Sequence, residues 1–198
     1  MSGILVIVGL VILLGIIAVV LYNRFVTLRN RSENAWAQVD VQLRRRYDLI
    51  PNLVETVKGY ASHERQTLEA VIQARNTAVA AQTVQEQGQA ENMLTGALRQ
   101  LFALSESYPQ LRANENFMQL QAQLEETEND IAVARQIYND TVLRYSTAIQ
   151  TFPGVLLAGP FGFGAKVYLE IDEASRAAPR VSFSDPPAQP PGAQPPSA

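Results

Sequence analysis

Apolar residues fall along this chain in two patterns. Residues 4–22 are an uninterrupted apolar run without a charge. Beyond it, apolar positions recur at spacings of three and four, the period of an amphipathic helix. Over residues 24–60 the repeat is Trp36, Val39, Leu43, Tyr47, Ile50, Val54 and Val57, and Pro51 predicts a kink in it, because the pattern resumes on both sides. Ser62 is the expected N-cap of a second helix, with Glu64 in its first turn and Leu68, Val71, Ile72 and Val79 along it, fading near Gln87 and Gly88. A third helix carries Leu94, Leu98, Leu101, Ser105 and Tyr108 and is stopped by Pro109. The fourth has the clearest repeat: Phe117, Leu120, Leu124, Thr127, Ile131, Ala134, Tyr138, Val142, Tyr145 and Ile149. Asn114 caps it and Pro153-Gly154 closes it. Strand-like alternation is essentially absent, so the expected class is all-α.

Lengths turn the pattern into an architecture. Helices one and four each run about 37 residues, or roughly 55 Å, and the middle two about 20 residues, or roughly 30 Å. Short connections favour antiparallel neighbours. The expectation is an N-terminal transmembrane helix continuing into an antiparallel four-helix bundle with two long and two short helices. Four helices overlap only far from the membrane, and helices one and four form a two-helix stalk below. The expected divisions are a short tail (1–3), a transmembrane helix (4–22), the bundle with a Gly/Phe segment after it (23–183) and a disordered, proline-rich tail (184–198).

Nineteen residues of helix, 4–22, cover roughly 28 Å, the hydrocarbon thickness of a bilayer. A cleaved signal peptide fits poorly, since Met1, Ser2 and Gly3 supply no basic n-region and no small-x-small site ends the run. Arg24, Arg29 and Arg31 follow the span at once, so the positive-inside rule places the N-terminus outside and the bundle in the cytoplasm.

Composition mainly excludes. A net charge of -3 with mixed signs lacks the basic stripe of a nucleic-acid binder. There is no cysteine, and His63 is the only histidine, which removes thiolate chemistry, His-paired metal sites and Ser-His catalysis on one chain. His63-Glu64 begins like a zinc-protease helix, but Thr67 stands where the second histidine is required. No catalytic residue, metal ligand or cofactor is expected.

Arg44, Arg45 and Arg46 suggest a lipid patch, but Arg45 stands roughly 34 Å above the membrane boundary, beyond the reach of its surface potential. If helices one and four meet at Tyr22 and Gln150, the residues at that height are Glu125, Glu126 and Glu128, so the expected role is interhelical ion pairing. The same register puts Trp36 beside Tyr138. Phe152, Leu156, Leu157, Phe161 and Phe163 emerge at membrane level, either packed on the stalk or inserted in the interface. Two sequons, at Asn30 and Asn139, fall within helices and are discounted.

Longer words then become recognisable. Residues 29–64, RNRSENAWAQVDVQLRRRYDLIPNLVETVKGYASHE, resemble the signature block of the LemA family. Residues 113–140, ANENFMQLQAQLEETENDIAVARQIYND, resemble its second hallmark, and AIQTFPGVLLAGPFGF (148–163) is similar to its C-terminal pattern. Gly164-Ala165 depart from the basic residues usual there. The resemblance implies a single-pass bacterial membrane protein with an antiparallel helical bundle, relatives linked to magnetosome formation or to a membrane metalloprotease, and no catalytic residue to carry over. The expected function is therefore a membrane-anchored, non-enzymatic scaffold or adaptor that binds protein partners or itself, held in the lipid bilayer by residues 4–22. The alternative is a membrane-remodelling protein acting through the anchor and the 152–163 segment.

Overall fold

The computed structural model describes residues 1–171. Every regular element among them is a helix: α1 (Ser2–Lys58), α2 (Arg65–Ala80), α3 (Val84–Ser105), the one-turn α4 (Pro109–Arg112), α5 (Glu115–Gln150) and the short α6 (Gly154–Ala158). The tail expected at 184–198, and the end of the bundle segment from 172 on, lie outside the described residues.

Helix α1 runs unbroken for 57 residues, about 85 Å. Pro51 does not end it. A proline has no N–H to donate to the carbonyl four residues back, and that carbonyl, of Tyr47, instead accepts a hydrogen bond from Arg75 Nε of α2 at 2.9 Å. The gap left by Pro51 thus becomes a tie between two helices. The apolar stretch of α1 is long and apolar enough to cross a membrane, and the rest of the described chain leaves it uncovered.

Helices α1 and α5 pair antiparallel along the axis of the molecule. Trp36 and Tyr138 lie ring to ring at 5.2 Å and Arg46 meets Glu128 at 2.9 Å, the register expected from anchoring both helices at one end. Helix α2 packs on α1 and α3. A continuous core from Ala35 on α1 to Val142 on α5 joins them, with Val39, Leu43, Ile50, Leu94, Leu101 and Phe117 among its most buried members. Burying a side chain of this kind contributes about 1.5–3 kcal/mol.

Three boundaries differ from the expectation. Ser62 does not cap α2; it lies with His63 in a turn, and the helix opens after Glu64 with no side-chain cap. The break between α2 and α3 falls at residues 81–83, not at Gln87-Gly88, because a capping box outweighs the weak apolar repeat there. Thr83 Oγ1 accepts the Glu86 N–H at 3.2 Å, and the Glu86 carboxylate accepts the Thr83 N–H at 3.1 Å. Pro109 does not simply stop a helix: α3 ends at Ser105, and Pro109 opens α4 as its first residue, with Tyr108 before it. Asn114 caps α5 as expected, accepting the Phe117 N–H at 3.0 Å.

The stalk is not two bare helices. After α5 the chain turns into α6, and Ala158 and Phe163 join Phe25, Tyr145 and Ile149 in a second, smaller core. Gly162, at φ +73°, reverses the chain there. Residues 163–171 then climb as an extended strap between α3 and α5. Asn139 holds it by both its amide groups, donating to the Leu169 carbonyl at 3.1 Å and accepting the Leu169 N–H at 2.9 Å. Tyr138 and Arg135 donate to the carbonyls of Val167 and Ile171, each at 2.8 Å. On the other side the strap presses on Gly88, where a Cβ would lie 2.5 Å from the Glu170 carbonyl oxygen. The Leu169 side chain is fully buried in the main core.

Candidate functional site

Successive residues on a helix point about 100° apart, so the three consecutive arginines meet three surroundings. Arg44 stays on the surface of α1, paired with Asp40 one turn back at 2.8 Å. Arg45 reaches across to α5, to Glu126 at 3.3 Å and Asp130 at 3.4 Å, with both partners half exposed. Arg46 points inward and is 4% exposed. It is held by Glu91 at 3.0 Å, Glu128 at 2.9 Å and the Thr95 hydroxyl at 3.0 Å. Of the expected acidic partners, Glu126 and Glu128 meet arginines, whereas Glu125 makes no ion pair among the described residues.

The sequence reading missed Glu91, which has no exposed surface. Its second oxygen accepts the Tyr47 hydroxyl, and Gln87 Nε2 donates to Tyr47 Oη at 2.7 Å and to Glu91 at 3.2 Å. Burial pushes the Glu91 carboxyl above the usual carboxylate range, a push that Arg46 opposes. Burial and the Glu91 charge push Tyr47 well above the usual phenol value. This cluster ties α1, α3 and α5 together at one level. Its groups are engaged with one another, an arrangement that fixes the register of the three helices.

At the membrane end the expected contact residues divide. Phe163 is buried, edge-on to Phe25 at 5.3 Å and beneath the Arg29 guanidinium at 5.6 Å. Leu157 packs partly into the same small core. Phe152, Leu156 and Phe161 remain exposed, at 80%, 64% and 47%. Phe161 lies 5.4 Å from the ring of Tyr22, the last residue of the apolar span. An apolar foot thus stands at the level where α1 would leave a bilayer.

His63 lies exposed in the turn before α2. Among the described residues no three His, Asp or Glu side chains converge as a metal site.

The chain is similar in sequence to three magnetosome proteins. Magnetosome proteins MamQ 1 and MamQ 2 of Paramagnetospirillum magneticum AMB-1 are each 25% identical to it over 175 residues, covering 75% of the chain. Magnetosome protein MamQ of Magnetospirillum gryphiswaldense MSR-1 is 24% identical over 168 residues, covering 72%. The chain spans 64% of the length of the first two relatives and 62% of the third. The model of the LemA family matches residues 35–183, taking in α1 from Ala35 onward, all of α5, the central cluster and the strap, and the chain belongs to the LemA family.

Proposed function

We propose that this chain is a single-pass protein of the bacterial cell membrane whose helical body is a non-enzymatic scaffold or adaptor, binding protein partners or a second copy of itself. Its N-terminus faces outward and the body lies in the cytoplasm, with Arg24, Arg29 and Arg31 on the inner side. The observation that carries this reading is an uncovered apolar groove of about 450 Å³ along the α1–α5 seam. Val41, Val133 and Ile137 line it at 62%, 59% and 45% exposure, and Gln42 beside them has a buried Oε1 without a hydrogen-bond partner among the described residues. Val41 stands nineteen residues beyond Tyr22, about 28 Å, too high for lipid to cover. A protein surface is the remaining occupant of suitable chemistry. The non-enzymatic part of the reading is supported by the buried Arg46–Glu91 cluster among the described residues, whose groups are engaged with one another.

Crosslinking in native membranes followed by native mass spectrometry tests it. A reproducible homo-oligomer or partner adduct is expected, lost when Val41→Glu and Val133→Glu are combined; a strict monomer without partners contradicts it.

The exposed foot favours a second reading, in which the anchor and residues 152–163 act on the bilayer together. A chain beginning after Tyr22 then binds liposomes and loses that binding on Phe161→Ser. Failure to bind sinks this reading alone.

A further inference from the structure

We propose that the groove between α1 and α5 immediately beyond the apolar span is a binding site for the phosphate of an anionic phospholipid headgroup. The groove, of about 670 Å³, is lined by Arg24, Leu28 and Arg31 of α1 and by Leu143, Arg144 and Thr147 of α5. It rests on the membrane anchor of the reading above and adds a ligand to it.

Four observations converge. Arg24 and Arg31 are seven residues apart, two helical turns, and so share one face of α1. Neither makes an ion pair among the described residues. Arg144 comes from the far end of the chain and is brought to the height of Arg31 by the same register that stacks Trp36 on Tyr138. Its Nε is bound to Asp140 at 2.9 Å, which leaves both terminal nitrogens of the guanidinium available.

Sidedness explains arginines that directly follow a span; it does not explain a third arginine delivered to the same groove by another helix. Within residues 23–34 and 140–166 there are five cations, Arg24, Arg29, Arg31, Arg144 and Lys166, against two carboxylates, Glu33 and Asp140. Both carboxylates are engaged away from Arg24 and Arg31, Glu33 by Arg29 and Lys166 and Asp140 by Arg144. The excess of positive charge is therefore concentrated where an anion can enter.

Height selects the source of that anion. Counting from Tyr22, Arg24 lies about 3 Å beyond the hydrocarbon edge and Arg31 and Arg144 about 12–14 Å. Headgroups occupy roughly the first 5–8 Å, and the surface potential extends about 8 Å further. Three guanidinium groups on long side chains thus span the headgroup layer from within and above. Leu28, half-buried, and Leu143, exposed, give the groove an apolar wall against which a glycerol backbone can rest. Guanidinium is the side chain best matched to phosphate, through paired N–H donors.

The test uses the full chain in a non-ionic detergent, with native mass spectrometry reporting retained phosphatidylglycerol or phosphatidylcholine. Arg24→Gln, Arg31→Gln and Arg144→Gln are combined and compared with a charge-matched control, Arg44→Gln, Arg99→Gln and Arg112→Gln. Each juxtamembrane arginine is expected to contribute about fivefold, the equivalent of about 1 kcal/mol. The triple variant should therefore lose about 100-fold in phosphatidylglycerol retention while the control keeps it. All three positions are exposed, and if the triple variant fails to fold, Arg31→Gln alone should still show the fivefold loss. Equal retention of the two lipids by the wild type, or equal loss in the control, overturns the proposal. Glycerol 3-phosphate bound as tightly as the lipid overturns its assignment to a membrane ligand. Resistance of the triple variant to carbonate extraction separates this site from the anchor: a chain that leaves the membrane in either form contradicts the anchor, not the groove alone.

Discussion

Replacing Arg46 with methionine is expected to destabilise the helical body, although Met keeps an unbranched apolar stem and packs well in cores. Arg46 is 4% exposed, and two carboxylates lie within 3.0 Å of its guanidinium. Glu128 is partly exposed and can turn to water once released. Glu91 cannot, having no accessible surface, so its charge remains in the core with only Tyr47 and Gln87 to solvate it. Breaking such a pair from one side costs about 3–5 kcal/mol. At about 2–4 °C per kcal/mol for a chain of this size, that is roughly 6–20 °C in the melting temperature. Removing both charges, Arg46→Met with Glu91→Leu, should recover a large part of the loss, because the stranded carboxylate disappears with its partner. Arg44→Met is the control, since its exposed pair with Asp40 is worth about 0–1 kcal/mol. The assay is thermal unfolding of the full chain in detergent, followed by helical circular dichroism. The reasoning is refuted if Arg46→Met melts with Arg44→Met, or if the double variant is as unstable as the two single losses summed.

The same cluster predicts a pH dependence. The folded-state pKa of Glu91 is raised above its ordinary 4.5, so its contribution is fully present below that ordinary value and is lost as pH rises through the raised one. Wild type minus Glu91→Gln stability, from urea unfolding at a series of pH values, should grow in favour of the wild type as pH falls from neutral towards 4.5; a flat difference contradicts the burial argument. For the strap, Leu169→Ala removes a fully buried side chain from the main core, costs about 2–5 kcal/mol and should speed limited trypsin cleavage after Lys166; an unchanged cleavage rate means the strap is not held there. Thr83→Ala breaks one half of the capping box and should cost about 1 kcal/mol, read as a small shift of the urea midpoint.

The long helices were legible because three-four spacing survives over many turns, and one assumption, that Tyr22 of the first and Gln150 of the last meet at the membrane, was enough to place Trp36 on Tyr138 and the arginines opposite Glu126 and Glu128. Glu91 was legible too, but only by asking a different question. Gln87 and Glu91 continue the series of Leu94, Leu98 and Leu101, and a carboxylate on the core face of a helix requires a buried cation. Arg46 is the one arginine of the triplet in phase with Val39, Leu43 and Ile50. The α2–α3 break was marked by Thr83 and Glu86, whose capping signature is local chemistry that apolar counting overlooks. The strap could not be read in this way. The hydrogen bonds that hold it run from a side-chain amide, a phenol and a guanidinium to backbone groups, which need no sequence period in residues 163–171, and Asn139 looks like any solvated helical residue until the returning chain meets it. The groove of Arg24, Arg31 and Arg144 was hidden for a related reason: Arg144 lies more than a hundred residues from the other two and becomes their neighbour only through helix pairing.

Site-specific photocrosslinking in living cells tests the scaffold most directly. A photoreactive residue placed at Val133, on the uncovered α1–α5 seam, should yield a discrete protein adduct, either to a second copy or to a reproducible partner. One placed at Gln73, on the exposed face of α2, should not. No protein adduct at Val133, or the same adducts at both positions, would contradict the claim that this groove is where a membrane-anchored scaffold makes its contacts.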